Sequence, residues 1–288
     1  MTVTTEKSSP FADRATEVLA VQGLVKHFGG RRTLSDRLAR RPASTVTAVD
    51  GVDLVVRAGE TVGLVGESGC GKSTLARCVM GLYPATAGEI RYGGEPVGAR
   101  LSRAQRRQVQ MVFQDPYSSL NPRMTVGQVL KELLRCHDVV PRGEVTTRAK
   151  ELVDLVGLPE RALDQFPRQF SGGQRQRVGI ARALALEPKV LIADEAVSAL
   201  DVSVQATIIN LLQELQANLG LSMLFVSHNM AVIRQVSDRI AVMYQGKIVE
   251  TGPTAQVFDH PSADYTKLLL GSVPRMLVDH PDDPEVRT

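Results

Sequence analysis

The sequence is poor in cysteine. Its 288 residues include three, Cys70, Cys78 and Cys136, an odd number with no C-x-x-C spacing. This argues against a disulfide framework, a zinc ribbon and a four-cysteine cluster supplied by one chain. Long apolar runs are missing as well, since no stretch approaches the ~20 residues that a membrane-spanning helix needs. The N-terminus, MTVTTEKSSPFADRATE, has no apolar core and does not read as a secretory leader. Charge of one sign is scarce. Lys+Arg 34 against Asp+Glu 31 leaves +3, too little to mark a nucleic-acid binder. That excess is local: residues 1–44 hold eight Lys/Arg and four Asp/Glu, and the other 244 sum to −1. No internal repeat is visible. Hydrophobic residues at 43% and charged residues at 23% are ordinary for a globular chain. The length admits one large domain or two small ones. Together these features lead us to expect a cytosolic protein with no membrane span of its own.

Residues 1–16 are polar and without apolar periodicity, which predicts disorder. Val18 to Phe28 and Thr45 to Val56 read as strands. The segment between them, 29–44, carries five arginines. It reads as a solvated loop, with an anionic partner or a membrane surface as the alternative. TVGLVG (61–66), VQMVFQ (109–114) and VLIADE (190–195) are short apolar runs of the kind that form buried parallel strands, and LSMLFVS (221–227) is a fourth strand. Helices are expected at 72–81, 144–156 and 171–186. Val126, Val129, Leu130, Leu133 and Leu134 share one helical face, as do Val204, Ile208, Leu211, Leu212, Leu215 and Leu219. RIAVMYQGKIVETG (239–252) reads as a hairpin turning at Gln245-Gly246. Alternating strands and helices imply an α/β fold with a mainly parallel sheet, interrupted by a helix-rich stretch at about 115–170. The tail DHPDDPEVRT is acidic and expected to be mobile.

Gly66-Glu67-Ser68-Gly69-Cys70-Gly71-Lys72-Ser73-Thr74 matches G-x-x-x-x-G-K-[ST] between an expected strand and an expected helix. Glycines let the backbone wrap phosphate oxygens, and successive N–H groups and the helix N-terminus face the anion. Lys72 suits the β and γ phosphates of ATP. The Ser73 hydroxyl suits Mg²⁺, a hard cation that prefers oxygen. Cys70, within this loop, is either a small filler or a thiol whose ionised form the helix N-terminus favours. The strand at 190–195 ends in two carboxylates. Asp194 suits the Mg²⁺ shell, and Glu195 suits a general base or water-orienting group at the γ-phosphate.

Phosphate loops serve many enzyme classes, and three further elements narrow the choice. Ser171-Gly172-Gly173-Gln174, just before the acidic strand, resembles the signature motif of ABC ATPases. Gln114, forty-two residues after Lys72, resembles that family's glutamine loop, and His228 its switch histidine. Ser198-Ala199-Leu200-Asp201 resembles the loop that joins the two sites of a dimer. Read singly, each is ordinary: a surface amide, a strand-end histidine, a serine helix cap. Their joint occurrence in the family's order, over about residues 18–260, is what identifies the chain as similar to ABC ATPases.

The resemblance implies a P-loop NTPase (RecA-like) core with an antiparallel β subdomain and an inserted α-helical subdomain. Its implied division is a disordered 1–16, an ATPase domain at 17–259 with the core at 17–114 and 175–259 and the helical subdomain at 115–174, and a C-terminal extension at 260–288. It implies two cassettes clamped head to tail. Lys72, Gln114, Asp194, Glu195 and His228 would act in cis, with Gln114 also a Mg²⁺ ligand. Ser171, Gly172, Gly173, Gln174 and Asp201 would act in trans, on ATP held by the partner. Phe28 matches the aromatic that stacks on adenine, or else is a core aromatic.

AVDGVDLVVRAGETVGLVGESGCGKSTLAR, MVFQDPYSSLNPRMTVGQ and LIADEAVSALDVSVQA resemble the oligopeptide/dipeptide permease ATPase subfamily, as does the trailing HPSADYTKLLLGSVP. Phe170 stands where many relatives have leucine, and Ser-Ala-Asp precedes Tyr265 where the subfamily often runs His-Pro-Tyr. No cysteine follows Cys136, so the iron–sulfur cluster of some relatives is not expected. The implied partners are transmembrane permease subunits, a second ABC ATPase chain (identical or homologous) and, indirectly, an extracytoplasmic solute-binding protein, with no nucleic acid. The implied place is the cytoplasmic face of the membrane, with docking through the helical subdomain near Gln114, Asp115-Pro116 and Asn121-Pro122-Arg123. Alternatives are import of nickel, glutathione or another small solute, an accessory ATPase of a carbon–phosphorus lyase-like complex, and a soluble ABC ATPase acting on nucleic acid or the ribosome. That last class generally shows two cassettes, a zinc hairpin or a long coiled-coil insertion, none of which appears here.

Overall fold

The computed structural model describes residues 17–29, 45–98, 100–115 and 120–271. The expectations for 1–16, for the arginine-rich 30–44, for Pro116 and for the tail at 279–288 fall outside the described residues.

Among the described residues ten strands form two sheets. Four make an antiparallel sheet in the order β2-β1-β4-β5: β1 (Glu17–Gly29), β2 (Thr45–Arg57), β4 (Ala87–Tyr92) and β5 (Glu95–Pro96). Six make the second sheet in the order β10-β9-β3-β8-β7-β6. They are β3 (Thr61–Val65), β6 (Val109–Val112), β7 (Val190–Asp194), β8 (Ser222–Ser227), β9 (Arg239–Tyr244) and β10 (Lys247–Pro253). The pairs β9–β3, β3–β8, β8–β7 and β7–β6 are parallel, while β10 returns antiparallel to β9.

The central strands are apolar runs because both of their faces are covered. All five residues of β3 and all five of β7 are buried. Side chains alternate along a strand, so β7 divides its residues between two cores. Val190 and Ile192 join a core with β1, β2 and the first helix, α1 (Lys72–Val79). Leu191 and Ala193 join the other, with α3 (Val126–Cys136), α4 (Val145–Leu155), α5 (Gly172–Leu184), α6 (Val202–Leu219) and α7 (Met230–Val236). Two short 3₁₀ turns, Glu160–Asp164 and Pro167–Gln169, connect α4 to α5.

Local chemistry sets the helix starts. Thr125 and Gln128 form a reciprocal capping box at α3, as Ser102 and Gln105 do at α2 (Arg103–Gln108). α6 ends at Gly220, whose left-handed φ of 64° lets the chain turn without strain. The hairpin turns at Gln245-Gly246, as its sequence indicates. That turn is stitched to the rest of the molecule: Gly246 N–H donates to the Cys70 carbonyl at 2.9 Å, and Asp50 N–H donates to the Gly246 carbonyl at 2.9 Å. The strands β4 and β5 and the helices α2, α8 (Thr254–Asp259) and α9 (Asp264–Gly271) were not expected from the sequence. Among the described residues, no helix is long and apolar enough to cross a membrane.

Candidate functional site

Four adjacent parallel strands, β3, β8, β7 and β6, end on the same edge of the sheet. The carboxyl ends of such strands are where open α/β sheets bind ligands. β3 leads into the glycine-rich loop 66–71, β6 into Gln114, β7 into Glu195 and β8 into His228. Parallel pairing thus brings together residues that are up to 162 positions apart in sequence (66 to 228).

The loop and its neighbours line a cavity of about 310 Å³ formed by Ala48, Ser68, Gly69, Gly71, Lys72, Ser73, Thr74, Gln114 and Glu195. Gly71 caps α1 with a φ of 114°, a region L-residues rarely enter, and a Cβ there would lie 2.1 Å from the Ala48 carbonyl oxygen. The backbone therefore passes the loop close against β2. Lys72 is buried, with its ammonium donating to the carbonyls of Gly66 at 2.7 Å and Glu67 at 2.8 Å. A buried cation needs such partners. Cys70 Sγ is 3.8 Å from the same ammonium, so the thiol sits inside the loop's polar network.

Asp194 closes β7. The residue is 5% exposed, and its carboxylate accepts a 2.9 Å hydrogen bond from Ser73 Oγ. Burial pushes its carboxyl above the usual carboxylate range, and the Ser73 hydrogen bond only partly opposes that. Glu195 follows in a left-handed conformation, φ 48°. Non-glycine residues seldom hold this geometry, and it concentrates at functional sites. Its surroundings fix it there: Glu195 N–H donates to the Val226 carbonyl at 2.9 Å, and Ser198 donates to the Glu195 carbonyl through N–H at 3.1 Å and Oγ at 2.9 Å. The turn aims the carboxylate at the cavity, where His228 Nδ1 lies 3.3 Å from Oε1.

The donor set is oxygen-rich: Ser73 Oγ, Asp194 and the Gln114 amide. No three His, Cys, Asp or Glu converge anywhere among the described residues. An all-protein cage is therefore absent there, while one carboxylate and one hydroxyl beside a phosphate cradle fit Mg²⁺, which keeps waters and substrate oxygens in its shell.

Three sets of anticipated residues lie outside that cavity. Ser171, Gly172, Gly173 and Gln174 open α5. Ser171 Oγ accepts from Gln174 N–H at 3.3 Å and Gln174 Oε1 accepts from Ser171 N–H at 3.0 Å, a capping box on an exposed helix end. Gly173 is needed small, since a Cβ would sit 2.5 Å from Val204 Cγ1. Asp201 is exposed at the start of α6. Phe28 is 36% exposed and meets Tyr83 edge-on at 5.5 Å, with the Lys26 ammonium 4.9 Å from its ring centre. Ala48 lines the cavity without any signal of its own in the sequence. It is one alanine in a strand, and only the packing of β2 on the loop makes it part of the wall.

The family model described as ABC transporter matches residues 49–198, which contain the loop, Gln114, the Ser171 helix start and the β7 carboxylates. The chain belongs to the ABC transporter family of ATP-binding subunits. ABC cassettes of this kind bind and hydrolyse ATP, and this chain is such an ATPase. It is 46% identical over 262 residues to the oligopeptide transport ATP-binding protein OppF of Lactococcus lactis, covering 90% of this chain and 81% of that one. It is 51% identical over 238 residues to OppF of Escherichia coli K12, covering 81% and 71%. Among solved structures it resembles cbiO1 from Clostridium perfringens, described as part of the ABC transporter complex cbiONQ (27% identity, TM-score 0.70, covering 85% of this chain and 92% of that one). It also resembles an ATP-binding cassette solved as a dimer in a post-hydrolysis state with ADP and phosphate (28% identity, TM-score 0.68, covering 82% and 98%). The ABC fold accounts for the two sheets and the phosphate loop at their junction.

Proposed function

We propose that this ABC ATPase energises import of oligopeptides or dipeptides, working as a pair of cassettes on membrane permease subunits at the cytoplasmic face. The observation that carries the peptide reading is the 46–51% identity to oligopeptide transport ATP-binding proteins over most of the chain. A solute-binding protein outside the membrane would supply cargo indirectly.

In this reading each residue has a stated task. The backbone of 66–74 wraps the phosphates, and Lys72 leaves the Gly66 and Glu67 carbonyls to neutralise the β and γ groups. Ser73, Asp194 and Gln114 would hold Mg²⁺, which would supply charge neutralisation to the phosphate oxygens when bound. Glu195 takes or orients the proton of the attacking water, a contribution typically about 10²–10⁴-fold. His228, hydrogen-bonded to Glu195, orients that carboxylate toward the γ-phosphate. Phe28 offers its ring face to adenine.

The second half of the reading is the clamp. Ser171 to Gln174 and Asp201 lie on exposed helix starts and line no part of this chain's own cavity. The N-terminus of α5 carries the positive end of its dipole and would face the γ-phosphate held by a partner. One chain contains a complete set, so two copies make two competent sites, while a homologous partner would make a heterodimer. A groove of about 500 Å³ is lined by Arg123 and Met124 and, on α3, by Gln128, Lys131 and Arg135. It offers a surface for a permease loop.

The test is uptake of a radiolabelled tetrapeptide by cells that depend on this chain. The wild type restores uptake and Lys72→Ala does not. Restoration of nickel or glutathione uptake without peptide uptake would replace the substrate class and leave the ATPase assignment intact.

A further inference from the structure

The C-terminal helix reaches the phosphate loop. Tyr265, on α9, accepts a 3.0 Å hydrogen bond from the backbone N–H of Glu67, across 198 residues of sequence. Glu67 is the second residue of the loop, and its carbonyl is one of the two that hold Lys72. The Tyr265 ring stacks on Tyr244 with centroids 4.2 Å apart. Tyr244 closes β9, next to Met243, whose carbonyl oxygen lies where a Cβ on Gly66 would fall, at 2.1 Å. The ring is therefore wedged beside the first turn of the loop.

Two further contacts hold it there. Glu250 of β10 grips the start of α9. Its Oε1 accepts from Ser262 N–H and Oγ, each at 2.8 Å, and its Oε2 accepts from Ala263 N–H at 3.1 Å. Tyr265, Leu269 and Leu270 also pack against the larger core. Burial raises the Tyr265 hydroxyl, so it stays a neutral acceptor at physiological pH.

We propose that Tyr265 is a positioning residue for nucleotide binding: its hydroxyl pins the Glu67 amide and so presets the entry of the phosphate loop. This rests on the reading of residues 66–74 as the nucleotide cradle. The reasoning is one of preorganisation. A loop already held in its binding geometry loses less freedom when ATP arrives. Glu67 and Tyr265 touch no part of the acidic pair at β7, so the effect falls on binding rather than on the chemical step. The helix thereby links the segment beyond β10 to nucleotide affinity, and any partner that lifts α9 would loosen the loop.

The decisive variant is Tyr265→Phe in the full chain, which keeps the stacking ring and deletes the hydroxyl. The expected result is a roughly three- to ten-fold rise in KM for ATP and in the dissociation constant for Mg²⁺-free ATP, with kcat within about two-fold of wild type. Faster hydrogen exchange at the Glu67 amide is expected alongside. Glu250→Gln, which weakens the grip on α9 without touching the ring, should move affinity the same way. Unchanged KM and affinity would overturn the proposal, as would a fall in kcat at constant KM. A lowered melting temperature with unchanged affinity would make Tyr265 merely structural and overturn it too. Should wild-type protein fail to bind ATP, the cradle assignment falls instead, and the two failures are distinct.

Discussion

Gly71 offers the sharpest energetic test of the loop geometry, with Gly69 as its internal control. Both hold positive φ, 114° and 83°. An alanine at Gly69 would meet nothing within 4 Å, whereas at Gly71 its Cβ would meet the Ala48 carbonyl oxygen at 2.1 Å and Met243 Cε at 2.8 Å. Gly69→Ala therefore carries conformational strain alone, about 1–2 kcal/mol. Gly71→Ala carries the same strain plus an overpacking cost of about 1–3 kcal/mol, because the clashing Ala48 oxygen belongs to the backbone of β2 and cannot swing aside as a side chain would. At roughly 2–4 °C per kcal/mol for a domain of this size, the expected losses in melting temperature are about 2–8 °C and about 4–20 °C. The assay is thermal unfolding of both variants with and without ATP. Ligand at a hundred times its dissociation constant adds about 2.7 kcal/mol to a protein that binds it. That gain should survive in part in Gly69→Ala and vanish in Gly71→Ala, whose loop must move off β2. Equal destabilisation of the two variants, or a full ATP-induced shift in Gly71→Ala, would refute the argument from close approach.

Other outcomes follow from the same geometry. Because burial raises the Asp194 carboxyl, its ionised form destabilises the folded chain at neutral pH, and that cost disappears as the pH falls below the unfolded value of about 3.9. Asp194→Asn, which keeps an oxygen for Ser73, should melt higher than wild type at pH 7, converge with it toward pH 4, and lose Mg²⁺-dependent hydrolysis; calorimetry at both pH values decides. Glu250 behaves in the opposite sense. Partial burial would raise it, but hydrogen bonds from Ser262 and Ala263 outweigh that and hold it at about 2. Its contribution is complete above the unfolded value of about 4.3 and is lost as the pH falls through about 2. Exchange protection across 262–267 should therefore persist at pH 5, weaken below about 4, and be reduced at all pH values in Glu250→Gln.

What the sequence discloses here follows from how tightly physics constrains each segment. The phosphate loop was legible because its glycines answer to hard steric limits, with Gly71 against Ala48 as the plainest case. The strands β3 and β7 were legible because complete burial demands unbroken apolar runs. β4 escaped notice because AGEIRY is short and places only Ile90 and Tyr92 in the core, too few alternations to mark a strand by themselves. α9 escaped because its apolar residues split between core and solvent: Leu269 and Leu270 pack inward while Leu268 is 73% exposed. Ala48 and Tyr265 carry no local signal, since each matters only through a contact made by distant chain. The signature residues are the reverse case. Their motif is plain in sequence, yet within one chain they form only a helix cap, because the chemistry read for them involves a second molecule.

That second molecule is the central claim, and one experiment addresses it directly. Glu195→Gln removes the carboxylate beside His228 and slows hydrolysis by roughly 10²–10⁴, while leaving the loop, Ser73 and Asp194 intact. Light scattering on the purified variant with ATP and Mg²⁺ should show the mass rising from 31.2 kDa to twice that value, and returning to the monomer when Ser171 is also replaced by arginine. A variant that binds ATP at saturation and remains monomeric would contradict the account, because the exposed start of α5 would then have no nucleotide to close upon in a second copy of this chain.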